Sequence, residues 1–243
     1  MLAFLLSLTT YAFPPVLMYH RVDVTSPRDA ISRDLTITPA MLAAQLRYLK
    51  LHGISAISMA DFERRVRLKE PTNRDVILTF DDGYADQYAY AFPALQRAKA
   101  SATFYIVTRN VGRPAHVTWR DLQVMLGHNM DIAPHGLTHD DLSVMSDAAQ
   151  QTEIELSVLQ LEARLKLGAV SSYAYPSGRF NADTLRIERE AGVPVAVTTD
   201  LRNVIAPPDA LEVVRIRVRG AWTLDEFARA VRRALERPQV LPQ

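Results

Sequence analysis

Val76-Ile77-Leu78-Thr79-Phe80-Asp81-Asp82-Gly83 is an apolar run that closes on two adjacent carboxylates. The run reads as a buried strand. Carboxylates so close raise each other's pKa, and a cation is the usual remedy. Strand alternation points neighbours to opposite faces. Asp81 and Asp82 therefore reach one site only if the strand ends there and the chain turns, which Gly83 permits. A plain Asp-Gly turn with solvated carboxylates is the competing reading, so the stretch has to be weighed with what surrounds it.

Outward from it, short β-rich runs alternate with longer helical patterns. The predicted strands are Val16–His20, Ile54–Ser58, Val76–Phe80, Ala102–Val107, Met130–Ala133, Ser172–Tyr175, Val195–Thr199 and Val213–Val218. One helix is expected from Pro39 to His52, with Thr38 as N-cap and Gly53 as the stop. Others are expected over residues 85–100, 118–128, 146–167 and 181–191, and a last one opens on the capping box Thr223/Glu226 and stops at Pro238. In the longest, Ile154, Val158, Leu161 and Leu165 make one apolar stripe, while Glu153, Glu155, Glu162 and Arg164 face elsewhere. Strands each followed by a helix argue for a parallel sheet with outer helices. A chain of 243 residues without a Ser/Gly linker or internal repeat fits one distorted (β/α) TIM-like barrel, a fold of about 250 residues. The domain is expected to occupy 14–243, behind an apolar segment at 1–13.

In such barrels the working residues sit at the C-terminal strand ends. His20, Asp81 and Asp82, His135, and Tyr175-Pro176-Ser177-Gly178 all end predicted strands, so four ends converge on one rim. His135 and His139 stand four apart, in a segment that Pro134 and Gly136 keep from being a regular helix. Imidazole and carboxylate are metal ligands, and a spare carboxylate can serve as a base. Two unrelated surface histidines are the plainer alternative. Asp131, Asp140 and Asp141 are candidate acceptors for a ring N–H or simply loop charges. His52, His116 and His128 read as surface or structural groups, and Tyr84, Tyr90 and Trp119 as packing groups.

The bulk composition excludes more than it selects. A 48% hydrophobic, 23% charged chain is an ordinary globular protein with a sizeable core, and a net charge of +1 gives no electrostatic reason to expect nucleic acid. Without cysteine there is no disulfide, thiolate ligand or cysteine nucleophile. Met1 to Phe13 is apolar or hydroxylic but lacks the positive start of a secretory signal, so it reads either as a degenerate signal peptide ending near Thr10-Tyr11-Ala12 or as a buried lead-in strand. It is too short to span a bilayer, which takes about 20 apolar residues. Export or cytoplasmic residence turns on that choice.

Thr79-Phe80-Asp81-Asp82-Gly83, His135-Gly136-Leu137-Thr138-His139 and Ala174-Tyr175-Pro176-Ser177-Gly178, in this order and spacing, resemble the polysaccharide deacetylases with the NodB homology domain, carbohydrate esterase family 4. Pro15 to His20, Ala102 to Val107 and Val117-Thr118-Trp119 support the resemblance. It implies a distorted, incomplete (β/α) barrel and one divalent metal ion, typically Zn²⁺. Asp81 is then the catalytic base, and Asp82, His135 and His139 the metal ligands. Ser177 offers its backbone N–H to an oxyanion, and Tyr175, Pro176 and His20 line the substrate site. The reaction implied is removal of N-acetyl groups from an N-acetylglucosamine-containing glycan.

The sequence departs from the family pattern in three places. The third motif opens on Ala174 where relatives carry an Arg that orients the base. Ser177 stands where a Tyr is usual. No histidine follows His139, so the late Leu-x-x-His that supplies a general acid is missing; the late strand holds Arg215 and Arg217 instead. The alternatives are a metal-dependent esterase or amidase with another substrate, and a non-catalytic glycan-binding relative.

Overall fold

The structure, a computed structural model, describes residues 11–199 and 210–241. In chain order its elements are β1 (Tyr11–Phe13), β2 (Val16–Tyr19), β3 (Arg21–Val22), α1 (Ala30–Asp34), β4 (Thr36–Ile37), α2 (Pro39–Leu51), β5 (Ser55–Ile57), α3 (Met59–Arg67) and β6 (Asp75–Phe80). A π-helical turn at Gln87–Ala91 leads into α4 (Phe92–Ala98). Then come β7 (Thr103–Ile106), α5 (Trp119–Leu126), β8 (Asp131–Pro134), α6 (Asp147–Leu165), β9 (Tyr173–Ala174), α7 (Ala182–Glu190), β10 (Ala196–Thr198), β11 (Val213–Arg217), α8 (Leu224–Glu236) and β12 (Gln239–Leu241). All the strands predicted from the sequence are present within a residue or two. The short β3, β4 and α1, and the charge-rich α3, were not anticipated. Most of the 1–13 segment lies outside the described residues; Tyr11–Phe13 pairs antiparallel with β12. Among the described residues no helix is long and apolar enough to cross a membrane.

The strands form a parallel sheet in the order β8-β7-β6-β2-β11-β10-β9, with β5 pairing the first half of β6. It curls into a nearly closed barrel, and side-chain alternation divides the core in two. Val16, Ile77, Tyr105, Ala133, Ala174, Val197 and Val213 form one buried cluster inside the barrel. Their neighbours Leu17, Leu78, Phe104 and Ile132 pack outward against Leu42, Leu46, Leu49, Leu122 and Phe227 of the surrounding helices. A leucine so buried contributes about 1.5–3 kcal/mol. Tyr19, Phe80 and Phe104 stack across β2, β6 and β7 with ring centroids 5.0 Å apart in each pair, which fixes the end of β6 just before Asp81.

The barrel lacks a backbone ladder between β8 and β9. Side chains bridge that seam instead. Ser171 Oγ donates to Asp131 Oδ2 at 2.6 Å, and the Tyr105 and Ser172 hydroxyls lie 2.9 Å apart. Near the C-terminal rim His135 Nδ1 meets the Ala174 carbonyl at 2.6 Å.

Candidate active site

The inward face of β6 runs Ile77, Thr79, Asp81, so alternation carries the Asp81 side chain into the barrel mouth, where it is 1% exposed. Asp82 would then face outward, but its φ of +76° turns the chain over, and Gly83 continues the turn at +71°. Both carboxylates thereby face one mouth. A Cβ on Gly83 would come within 3.2 Å of Ile106.

Asp81 is gripped by a residue the sequence reading passed over. Arg215, on the inward face of β11, donates Nη1 to Asp81 Oδ1 at 2.6 Å and Nη2 to Oδ2 at 2.7 Å. Nη1 also donates to Thr79 Oγ1 at 3.1 Å, and the guanidinium lies 5.5 Å from the Tyr105 ring centroid. The base-orienting arginine missing at Ala174 is thus replaced from a strand on the other side of β2. Burial pushes the Asp81 carboxyl up, but the charges of Arg215, His135 and His20 outweigh it and hold the group well below the usual carboxylate range.

Asp82, His135 and His139 bring one ligand atom each to within 4.8 Å of one another. His135 Nε2 and His139 Nε2 lie 3.6 and 3.5 Å from Asp82 Oδ1. Tetrahedral ligands at about 2.0–2.1 Å from zinc sit about 3.3 Å apart, so the two contacts with Asp82 are already near the spacing that one such ion requires. The His135 ring supports this. Its Nδ1 faces the Ala174 carbonyl, an acceptor only, so Nδ1 carries the proton and Nε2 keeps its lone pair for a metal.

The loop that carries both histidines is held from behind by Glu153 of α6. That carboxylate is 4% exposed and accepts from the Leu137 and Thr138 amides at 2.9 Å each and from Thr138 Oγ1 at 2.8 Å. Gly136 makes the approach feasible: it has a φ of +76°, and a Cβ there would meet Glu153 Oε2 at 3.2 Å and Pro176 at 3.3 Å. The expectation that Glu153 faces away from the packed side of α6 is therefore wrong; a one-stripe reading of the helix could not see a loop covering its flank.

His20 Nε2 lies 4.0 Å from Asp81 Oδ2, and its side chain is 13% exposed, which places it beside Asp81 at the mouth. Burial lowers its pKa, partly opposed by Asp81 and Asp82. Ser177 is exposed on the rim with a φ of +56°. Tyr175 does not line the site. Its ring is fully buried and stacks on Phe180 at 4.6 Å, and its hydroxyl lies 2.8 Å from Glu188 Oε2 and 2.9 Å from the Leu211 carbonyl. Pro176 is likewise buried, against the Gly136 backbone. Asp131 is at the opposite end of the barrel, bound to Thr103 and Ser171, and reaches neither histidine. Asp141 pairs with Arg179 at 2.7 Å.

Burial brings the His135 pKa down to about 4, with Asp81 and Asp82 opposing. The native metal-free protein therefore refuses a proton that the unfolded chain accepts near the ordinary value of 6.5. Stability is full above that value, falls as pH drops towards about 4, and levels off below, a loss on the order of 3 kcal/mol. Asp81, with its lowered pKa, adds a further loss in the carboxylate range and below. Urea midpoints of the metal-free protein between about pH 7.5 and pH 4.5 measure the first step; a flat profile would contradict the buried neutral imidazole.

The mouth of this parallel barrel joins an aspartate and two histidines to a second, arginine-held aspartate. The Polysaccharide deacetylase family matches residues 68–196, just over half of the sequence, and the chain belongs to that family. The deacetylase PplD of Streptococcus pyogenes, solved with acetate, superposes with a TM-score of 0.81 at 30% identity, covering 90% of this chain and 97% of that one. YxkH of Bacillus subtilis, which carries a polysaccharide deacetylase name, is 27% identical over 187 residues. That match takes in 76% of this chain and 64% of YxkH. Poly-beta-1,6-N-acetyl-D-glucosamine N-deacetylase of Staphylococcus aureus is 22% identical over 202 residues, 76% of this chain and 69% of the relative.

Proposed function

We propose that this protein is a divalent-metal-dependent deacetylase that removes N-acetyl groups from N-acetylglucosamine-containing glycans. The observation that carries the reading is the meeting of Asp82, His135 and His139 beside an Asp81 that Arg215 keeps ionised. The names of the relatives support the substrate: the Staphylococcus aureus relative is a poly-N-acetylglucosamine deacetylase, and PplD holds acetate, the acid such a reaction releases.

Asp82, His135 and His139 would hold the ion, most simply Zn²⁺. Bound there, the ion would acidify a water and polarise the acetyl carbonyl. Asp81 takes the proton from the attacking water; its carboxylate stays ionised through the working pH range because Arg215 binds both oxygens. A positioned base of this kind is worth about 10²–10⁴-fold. The backbone N–H of Ser177 is the candidate donor to the oxyanion. His20 takes the role left vacant by the absent late histidine. It is the one imidazole of the mouth outside the ligand set, and its Nε2 lies 4.0 Å from Asp81 Oδ2. As a neutral ring it collects the proton that Asp81 has taken, then protonates the departing amine. The products are acetate and a free amino sugar.

Acetate release from N-acetylglucosamine oligomers tests the proposal directly. The zinc-loaded protein is expected to release acetate, to fall to the background rate after chelation, and to recover when zinc returns. Turnover that survives complete removal of metal would overturn the metal-dependent reading.

A further inference from the structure

Gln87 is fully buried at the first position of the π-helical turn, six residues beyond Asp81. Its Nε2 donates to the His20 carbonyl at 2.7 Å and to the Asp81 carbonyl at 2.5 Å. Both partners are acceptors only, so the amide nitrogen must face them and both of its hydrogens are used. The need for this bridge follows from the sheet. β2 and β6 are adjacent parallel strands, in register up to Tyr19 and Phe80, and the Asp81 amide still donates to the Tyr19 carbonyl. Beyond that point both strands turn away, leaving the carbonyls of residues 20 and 81 side by side with no ladder donor. Gln87 supplies the donors for both.

The residues so joined carry the two groups between which a proton must pass. Their side chains are 4.0 Å apart, too far for a hydrogen bond to fix the pair. Relative placement therefore falls to the backbone, and the backbone is tied at this point by one side chain. Asp86 extends the tie, accepting from the Val22 amide at 3.1 Å and from Arg21 Nε at 2.8 Å. A wide turn of π type recurs at functional sites because it re-aims one residue without ending the helix. Here it aims Gln87 back beneath the mouth.

We infer that Gln87 is a positioning residue that holds His20 and Asp81 facing each other, within reach of a proton relayed through one water, by clamping the two strand ends to each other. The inference rests on the deacetylase reading of the site. It concerns proton delivery and not metal binding, since Gln87 makes no hydrogen bond to Asp82, His135 or His139.

The experiment compares Gln87→Met, which keeps the volume and loses both donors, with Gln87→Asn, which keeps the amide one methylene too short. Each is assayed on N-acetylglucosamine oligomers, whose amine must be protonated to leave, and on 4-nitrophenyl acetate, whose phenolate leaves unaided. The expected result is a fall in kcat on the amide on the order of 10²-fold, as for a misplacement near 1 Å. On the ester the fall is less than about fivefold, because general acid help is not needed there. The KM for the oligomer and the zinc affinity by chelator competition should stay within about twofold. Equal losses on amide and ester, or a loss of zinc affinity that accounts for the rate, would overturn the inference. If Gln87→Met does not fold, the same comparison in Gln87→Asn decides. A wild-type protein inactive on both substrates would count against the deacetylase reading itself, a distinct outcome.

Discussion

Arg215→Met is expected to lower deacetylation at neutral pH on the order of 10²-fold or more and to move the acidic limb of the pH–rate profile upward. Arg215 and Asp81 are both essentially closed to solvent. Removing one member of such a pair leaves a buried charge without a partner, a loss of about 3–5 kcal/mol. For a chain of this length that corresponds to roughly 10 °C in Tm. Asp81 escapes part of that cost by taking up a proton, since burial alone drives its carboxyl upward. A pKa raised in the folded state contributes stability at low pH that disappears as pH rises through it. The deficit of the variant against the parent should therefore be small in acid and grow towards neutrality. A variant with the parent's pH–rate profile, merely scaled down, would show that Arg215 does not set the ionisation of the base.

Asp81→Asn isolates the base itself. The amide keeps the shape and one acceptor for Arg215 but cannot take a proton. We expect kcat to fall about 10²–10⁴-fold. Zinc affinity should stay within about threefold, because Asp81 lies outside the ligand set. Asparagine also leaves the guanidinium buried against a neutral partner, so this variant is destabilised as well. The double variant Asp81→Asn/Arg215→Met buries no charge and should be more stable than the sum of the single losses predicts, with a coupling of about 0.5–3 kcal/mol. Equal rates for Asp81→Asn and the parent would remove Asp81 from the chemistry, and additive stabilities would deny the pair its coupling.

The barrel was legible because its strands are short apolar runs separated by capped helices, and burial on both faces leaves such runs little choice. Thr38, Thr118 and Thr223 accept from the amide three residues on, as N-caps do. The Asp-Asp and His-His groups were legible because each closes a strand, and strand ends gather on one rim. Arg215 was not. One arginine among Val213, Val214 and Ile216 looks like an edge or surface position. Only the pairing of β11 with β2, and of β2 with β6, shows that its face of the strand looks into the barrel towards Asp81. Gln87 and Glu153 were hidden for the same reason, since their partners lie on segments joined only by the tertiary fold. Tyr175 was misread because adjacency to a motif says nothing about which side of the turn a ring takes; a buried carboxyl of α7 and the Leu211 carbonyl drew it inward.

The gap in the ladder between β8 and β9 gives His135 a second duty. The ring that offers Nε2 to an ion is also the pin that joins two neighbouring staves, through Nδ1 and the Ala174 carbonyl. The Ala174 carbonyl fixes which nitrogen keeps its hydrogen, so the pin and the free lone pair at Nε2 come from one contact. The cohesion of the wall and the readiness of the mouth thus rest on one ring, and a protein that loses this imidazole should loosen first along that single unzipped line.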